Sequence, residues 1–542
     1  MNTTKDDSHL PGYATRWPGL VFIGISLFVI SLDNLILNVA IPSISRDLGA
    51  AANELQWIVD AYILVFASLL LTMGAIGDRF GRKKLLQLGL IWFGVGSLAA
   101  TLSTSTDALM TARAFLGVGS AMIMPATLSI ISATFPPHER PKAIAIWTAI
   151  NGVGIGLGPA LGGLLLEWFE WNAVFYINLP IVAVALLGGG RFLADSKDPN
   201  PPKVDIPGVV LSITGLFALT YAIIEAGVAS WAADRVLFAF GGAAVLLTIF
   251  LVWEARSPEA MLPLHFFKNM SFTGANLALV LVFFSLFGST FFFNQYVQSV
   301  LGHSALEAGL MMLPMALVLA LVAASSARVA ARLGAKLTVA LGIAIAGTGL
   351  LMMSQVYDLE TSIPLVVAPT LALACGMGLA MSPATNSIMG SIPVSKAGIG
   401  SAMNDTNRQL GGALGVAILG TIMNAGYLDG IQRLQDSLPV LPGQVFAAIS
   451  NSVQAAHIVV QDPHVPSFAR EAIVSAANRA FVDGMTQAIF VGSLLMFAAA
   501  LLTLAILPAR VRCSADAKTT DDAETPLPTF RLDLDVVQDK GG

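Results

Sequence analysis

Charge is the scarcest property of this sequence: only 12% of its 542 residues are Asp, Glu, Lys or Arg, where a soluble domain carries roughly a quarter. A soluble surface of the usual kind is therefore excluded for most of the chain. Acidic residues outnumber basic ones, 34 to 29, which leaves no basic footprint and no expected nucleic-acid partner. There are two cysteines: Cys375 lies inside an apolar run and Cys513 beyond the last one, so they are not expected to pair. The six histidines are scattered without metal-ligand spacing, and no G-x-x-x-x-G-K-[ST] loop is present. A metal centre, a nucleotide-driven pump and any other cofactor are thus not expected, nor is an enzyme. The opening MNTTKDDSHLPGYATRW lacks the layout of a cleavable signal peptide, and the apolar run after it is too long for one. That run is expected to be retained as a membrane span.

Hydrophobic residues are abundant, 55% of the chain, with a mean hydropathy of +0.75. Apolar runs of spanning length fall at 17–41, 57–77, 85–102, 108–133, 142–166, 173–190, 206–225, 235–254, 273–298, 306–328, 336–355, 363–388, 397–425 and 485–507. Each is long enough for the roughly 20 residues a helix needs to cross a bilayer. All must be helices, because hydrocarbon offers no partner for an unpaired backbone group. The expected fold class is an all-α integral membrane protein with fourteen spans.

Positive charge alternates from loop to loop. One set carries Arg79, Arg82, Lys83 and Lys84, then Arg140 and Lys142, then Arg191, Lys197 and Lys203. It continues with Arg256 and Lys268, Arg328, Arg332 and Lys336, Lys396, and Arg510, Arg512 and Lys518. The opposite short loops hold little beyond Arg46 and Arg235. Basic loops mark the cytoplasmic side, so both termini are expected inside the cell and the number of spans is even. The expected organisation is a cytoplasmic segment 1–16, an N-terminal bundle 17–193, and a linker with inserted helices at 194–255. Helices nine to thirteen follow at 256–425, a long extracytoplasmic loop at 426–484, helix fourteen at 485–508, and a polar, disordered tail at 509–542. Within the long loop, GQVFAAISNSVQAAHIVVQ and SFAREAIVSAANRAFVDG have helical amphipathic period. They are expected to form short helices over the outer mouth.

An internal repeat supports this count. GVGSAMIMPAT, Gly117 to Thr127, returns as GMGLAMSPAT, Gly376 to Thr385. Arg79-Phe80-Gly81-Arg82-Lys83 is echoed by Arg332-Leu333-Gly334-Ala335-Lys336. Both pairs relate span n to span n+8, which gives two six-helix halves flanking an inserted pair. Asp78 and Arg113 have no charged counterpart in the second half, so shared architecture does not explain them.

The stretch GAIGDRFGRKK, Gly74 to Lys84, resembles the cytoplasmic signature of the major facilitator superfamily, and Arg113 with Gly117 resembles its fourth-span motif. GVGIGLGPALGG, Gly152 to Gly163, resembles its antiporter motif. LDNLILNVAIP (Leu32 to Pro42), WIVDAY (Trp57 to Tyr62), FYINLP (Phe175 to Pro180) and SKAGIGSAMNDTNRQLGGALG (Ser395 to Gly415) resemble the fourteen-span drug:proton antiporters. The resemblance implies proton-coupled export of lipophilic or cationic compounds from a bacterial cytoplasmic membrane, by a protein functional as a monomer. Its partners would be the substrates, protons and the lipid bilayer. Export of a self-made antibiotic, siderophore or metabolite on the same fold is the alternative, and a non-transporting sensor or enzyme a distant one.

Asp33 lies near mid-membrane, where a carboxylate is costly and marks a functional site by default. Ionised, it attracts a lipophilic cation; protonated, it releases one. Arg113, if near it, favours the charged form against burial, and the resemblance implies a proton-relay role for the pair. Asp405 and Arg408 share a helical face; they form either an internal ion pair or a second acidic site for protons or substrate. Asp60 is a candidate substrate contact or simply a solvated residue of the outer mouth. Asn294, Gln295 and Gln298 are candidate pore-lining residues beside the aromatic stretch Phe283 to Tyr296. Gly74, Asp78, Arg79, Gly81 and Arg82 are expected to latch one access state by bonds to helix ends of the other half. Gly154, Gly158, Pro159, Gly162 and Gly163 are expected to allow close helix packing that seals one side of the pathway.

Overall fold

The computed structural model describes residues 10–50, 52–199, 205–228, 231–437, 443–450, 452–461, 465 and 467–508. Lys203, Arg510, Arg512, Cys513, Lys518, the tail from 509 and the first nine residues lie outside them. The first half is built from α1 (Arg16–Leu48), α2 (Ala52–Phe80), α3 (Arg82–Thr101), α4 (Thr106–Thr134) and α5 (Arg140–Trp168). Its sixth span joins the short α6 (Ala173–Tyr176) to α7 (Asn178–Phe192). The inserted pair is α8 (Ile206–Val228) and α9 (Asp234–Arg256). The second half consists of α10 (Met270–Gln295), α11 (Ala305–Val356), α12 (Ile363–Gly390), α13 (Ala397–Ser437) and α16 (Ser467–Ile506), with α14 (Gly443–Ile449) and α15 (Val453–Val459) between the last two.

Thirteen helices among the described residues are long and apolar enough to cross a membrane. One of them, Leu306–Val356, has 51 residues, about 77 Å at 1.5 Å per residue, over twice the hydrocarbon thickness. It turns back at Gly334, whose backbone is non-helical at φ 81° and ψ 158°. Counted as two spans, it brings the total to fourteen. Gly81, its partner in the sequence repeat, likewise has positive φ, 117°, between α2 and α3. Both glycines thus supply a backbone that an L side chain adopts only with strain, and the repeat is structural as well as textual.

Each half has its own apolar core, one centred on α1 to α7 and one on α10 to α16. Bulky apolar side chains such as Leu187, Phe238, Leu317 and Leu501 stay exposed on the outer faces, as suits helices solvated by lipid tails. The halves meet where α2 and α4 pack on α13, and where α5 packs on α11 and α12. The inserted pair lies beside one seam, α8 against both α2 and α13. Leu216, Phe250, Met261 and Leu262 close that seam over Leu71, Ile399 and Ala402.

Two limits read from hydropathy move. Helix α13 runs to Ser437 rather than ending at 425, and α16 starts at Ser467 rather than 485. Hydropathy detects only the part of a helix that lies in lipid; the amphipathic continuation beyond it is held by tertiary packing instead. The hydroxyl of Tyr427 donates to the carbonyl of Ile449 at 2.7 Å, and His457 meets Asn478 at 2.9 Å. The expected loop helices at 443–461 are present as α14 and α15, whereas 467–484 is the outward extension of α16.

Candidate functional site

Asp33 is placed about 26 Å along α1 by the 1.5 Å rise per residue, with its side chain wholly buried. Arg113 of α4 pairs with it, Nη1 to Oδ2 at 2.7 Å. Asn178 Nδ2, at the start of α7, donates to the other carboxylate oxygen at 3.0 Å and is 3.3 Å from Ser97 Oγ. The guanidinium also donates from Nε to the carbonyl of Ile58, 3.1 Å, and lies 4.4 Å from the Tyr62 ring centroid. The Tyr62 hydroxyl is fixed in turn on Ser120 Oγ at 2.8 Å. Side chains of α4 and α7 thus meet on the α1 carboxylate, with α2 and α3 behind them. A buried charge pair persists only when its geometry and remaining hydrogen bonds are good, and this pair has both.

Asp405 and Arg408 are buried on α13, but their closest approach is 3.7 Å. Arg408 Nη2 instead donates to Asn151 Oδ1 of α5 at 2.9 Å. Asp405 Oδ1 accepts from Asn404 Nδ2 at 3.2 Å, while Oδ2 has no partner among the described residues. Asp60 is placed elsewhere, at the end of α2 away from the basic face, with Gln56 and facing Glu225 of α8. Glu225 is ion-paired to Arg235 at the start of α9, and Trp57 stacks on Tyr221 with ring centroids 6.2 Å apart. Asp60 thus belongs to the contact between α2 and the inserted pair. Gln295 receives Gln454 Nε2 from α15 at 3.2 Å, and Asn294 Nδ2 turns back to the carbonyl of Thr290. Asn294, Gln295 and Gln298 are all half-buried, at and just beyond the end of α10 away from the basic face rather than beside Asp33. The aromatic stretch is mostly buried, and Phe283 lies 4.8 Å from the Arg408 guanidinium.

On the basic face, Asp78 closes the seam between the halves. Its carboxylate accepts from the amide N–H of Gly398, 2.9 Å to each oxygen, and of Ile399 at 3.3 Å. These are free donors in the first turn of α13, where the helix dipole favours an anion. Arg82 binds Asp78 at 2.7 Å and donates to the carbonyls of Val394, 2.6 Å, and Ser395, 3.2 Å. Arg82 thus joins Asp78 to the other half, and the Arg79 guanidinium lies over the Phe80 ring. Gly74 is needed for close approach, since a Cβ there would stand 2.5 Å from the carbonyl oxygen of Gly398. Gly81 gives the turn that aims Arg82.

A model of the Major Facilitator Superfamily matches residues 23–416. The chain belongs to the Major Facilitator Superfamily. Multidrug efflux pump LfrA of Mycolicibacterium smegmatis is 35% identical over 488 residues, covering 89% of this chain and 95% of the relative. The tetracenomycin C resistance and export protein of Streptomyces glaucescens is 29% identical over 530 residues, 96% and 97% of the two chains. Methyl viologen resistance protein SmvA of Salmonella typhimurium is 30% identical over 487 residues, 89% and 97%. Among solved structures, the proton:xylose symporter XylE matches with a TM-score of 0.58 over 91% of this chain and 96% of its own, at 11% identity. That likeness concerns the fold alone.

Within this superfamily member the α5 glycines divide into two stripes. Gly154, Gly158 and Gly162 face α1, where added Cβ atoms would meet Ser31, Leu35 and Ile36. Gly152, Gly156 and Gly163 face α11 across the seam, against Leu319, Ala316 and Leu306. The backbone beyond Pro159 is on the seam too, against Gly309. The close packing across the seam thus runs through Gly152, Gly156 and Gly163, while Gly154, Gly158 and Gly162 pack α1 inside the first half. A Cβ on Gly156 would stand 1.9 Å from the Ala316 Cβ, closer than any real contact. Gly156→Val is expected to cut transport at least tenfold, and Ala316→Gly in the same chain to restore part of it. Rescue is measured by uptake in vesicles; an additive loss would show that the two positions do not meet.

Sequence reasoning missed Asn178 and Asn151 as site residues. FYINLP carried Asn178 as part of a recognised motif, but a neutral amide gives no charge signal of its own.

Proposed function

We propose that this protein exports lipophilic and cationic compounds across a bacterial cytoplasmic membrane in exchange for protons, with its basic face and both termini in the cytoplasm. The observation that carries this reading is the fully buried Asp33–Arg113 pair, present in one half only. A carboxylate at that depth is worth its desolvation cost only if its charge is used. Ionised, Asp33 offers the negative partner that a cation needs in a low-dielectric site. Protonated, it loses its hold on both the cation and Arg113, and the substrate leaves. Arg113 and Asn178 position the carboxylate by their hydrogen bonds to its two oxygens. Asp405 supplies a second intramembrane carboxylate, in the other half. The Asp78 latch holds the halves together on the basic face, and the contact of Gly156 with α11 does so at the depth of Asp33.

Relatives named for multidrug efflux and methyl viologen resistance support a broad substrate range. A narrower reading, export of one self-made antibiotic, is favoured by the likeness to a tetracenomycin C export protein along 96% of this chain. A panel of antibiotics and of monovalent and divalent organic cations separates the two in a strain stripped of its own pumps. The proposal expects resistance to several unrelated cations, lost when a protonophore collapses the gradient. Export that survives the protonophore would overturn it.

A further inference from the structure

Arg408 is committed to the wrong half of the molecule. Its nearest carboxylate, Asp405, is three residues away on the same helix and within ion-pair distance, Nη1 to Oδ1 3.7 Å, yet Nη1 makes no hydrogen bond to it. The guanidinium instead crosses the seam to Asn151 Oδ1, flanked by the rings of Phe283 at 4.8 Å and Trp147 at 5.5 Å. The amide is oriented for this. Ser31 Oγ donates to the carbonyl of Leu27 at 3.0 Å, so it can only accept from Asn151 Nδ2, also at 3.0 Å. That leaves Oδ1 of Asn151 facing α13. Asp405 and Asn151 are each 1% exposed. Among the described residues, the charged group shown against Asp405 is Arg408. The neighbouring elements supply neutral groups: Asn151 and Trp147 of α5, Phe283 of α10, and Thr385 of α12 through Asn404.

We infer that Asn151 is a positioning residue that competes with Asp405 for Arg408, so that the charge on Asp405 is read as the presence or absence of a polar tie between the halves. An ionised carboxylate with one buried oxygen unpaired is costly, and the observed arrangement suits the protonated form. When Asp405 releases its proton, Arg408 turns to it along the same helical face and leaves Asn151. The guanidinium keeps its charge throughout; the only change in atoms is one proton on or off Asp405. The tie between α5 and α13 is then lost, and the halves are free to part at mid-depth. Ser31 stands two residues before Asp33 on α1, so the chain Arg408–Asn151–Ser31 also brings the second carboxylate's state to the helix that carries the first.

This inference rests on the proton-coupled reading above. Its test is the pH profile of substrate-induced proton release from purified protein in proteoliposomes, followed with an entrapped pH dye. Removing the competing acceptor frees Arg408 for ionised Asp405, which favours the ionised form. Asn151→Leu should therefore move the midpoint toward acid by about one pH unit, and Asn151→Gln should keep it near wild type. If the Leu variant does not fold, Asn151→Ser carries the same expectation as the Leu variant. A rate lowered equally at every pH, with the midpoint unmoved, overturns the inference and leaves Asn151 a packing residue. A wild type that releases no protons overturns the antiport reading itself, and this inference with it.

Discussion

Asp33→Asn is expected to abolish uphill export while leaving the protein in the membrane. Asparagine keeps the shape that Asn178 contacts but removes the charge that faces Arg113 at 2.7 Å. No proton can then be exchanged at this site. A potential of 100 mV is worth about 2.3 kcal/mol per charge, enough to sustain a concentration ratio of about fiftyfold; in the variant that ratio falls to about one. Breaking a buried pair also leaves an uncompensated charge, which typically costs about 3–5 kcal/mol. Arg113 retains the Ile58 carbonyl and the Tyr62 ring, so the loss of stability should stay at or below the lower end of that range. Accumulation of a quaternary ammonium probe in energised inverted vesicles, with thermal unfolding in detergent alongside, measures both. Undiminished uphill transport would remove Asp33 from the mechanism.

Asp78→Asn is expected to release the latch on the basic face. The carboxylate holds two amide donors of α13 and the Arg82 guanidinium. Hydrogen bonds to charged groups contribute about 1.5–3 kcal/mol each. Losing two of them shifts the equilibrium between latched and open states by a hundredfold or more. Ser401, wholly buried on α13 behind the latch, reports this when replaced by cysteine. Labelling by an impermeant maleimide from the basic face should be slow with Asp78 in place and at least tenfold faster with Asp78→Asn, and transport should fall in parallel. Equal labelling rates would show that the contact does not hold the seam.

Asp33 and Arg113 were each legible because a charge in an apolar run stands out regardless of what surrounds it, whereas their pairing was only what the resemblance implied. The pair's third partner was not legible. Asn178 is 145 residues from Asp33 in sequence, and an amide at a helix start reads as ordinary capping chemistry until the fold brings α1 and α7 together. The α5 glycines illustrate a different limit. Their spacing announces close packing, but a run of alternate glycines presents several faces at once, and only the neighbours decide that Gly156 meets Ala316 while Gly154 meets Ser31. The bonds of Arg82 to Val394 and Ser395 have the same origin, since the positive-φ turn at Gly81 and the neighbouring half, not the sequence spacing, set where that guanidinium reaches. The repeat was legible down to the backbone, because Gly81 and Gly334 meet one steric requirement twice. Helix ends outside the lipid were not, since α13 and α16 continue on tertiary contacts that hydropathy does not record.

The central claim is that a proton gradient alone drives export through this chain. Purified protein in proteoliposomes, given an imposed pH gradient and no nucleotide, tests it most directly. The account predicts that a lipophilic cation accumulates in the more acidic compartment, that each transport event moves protons the opposite way, and that Asp33→Asn does neither. Cation movement indifferent to the gradient, or dependent on added ATP, would contradict it.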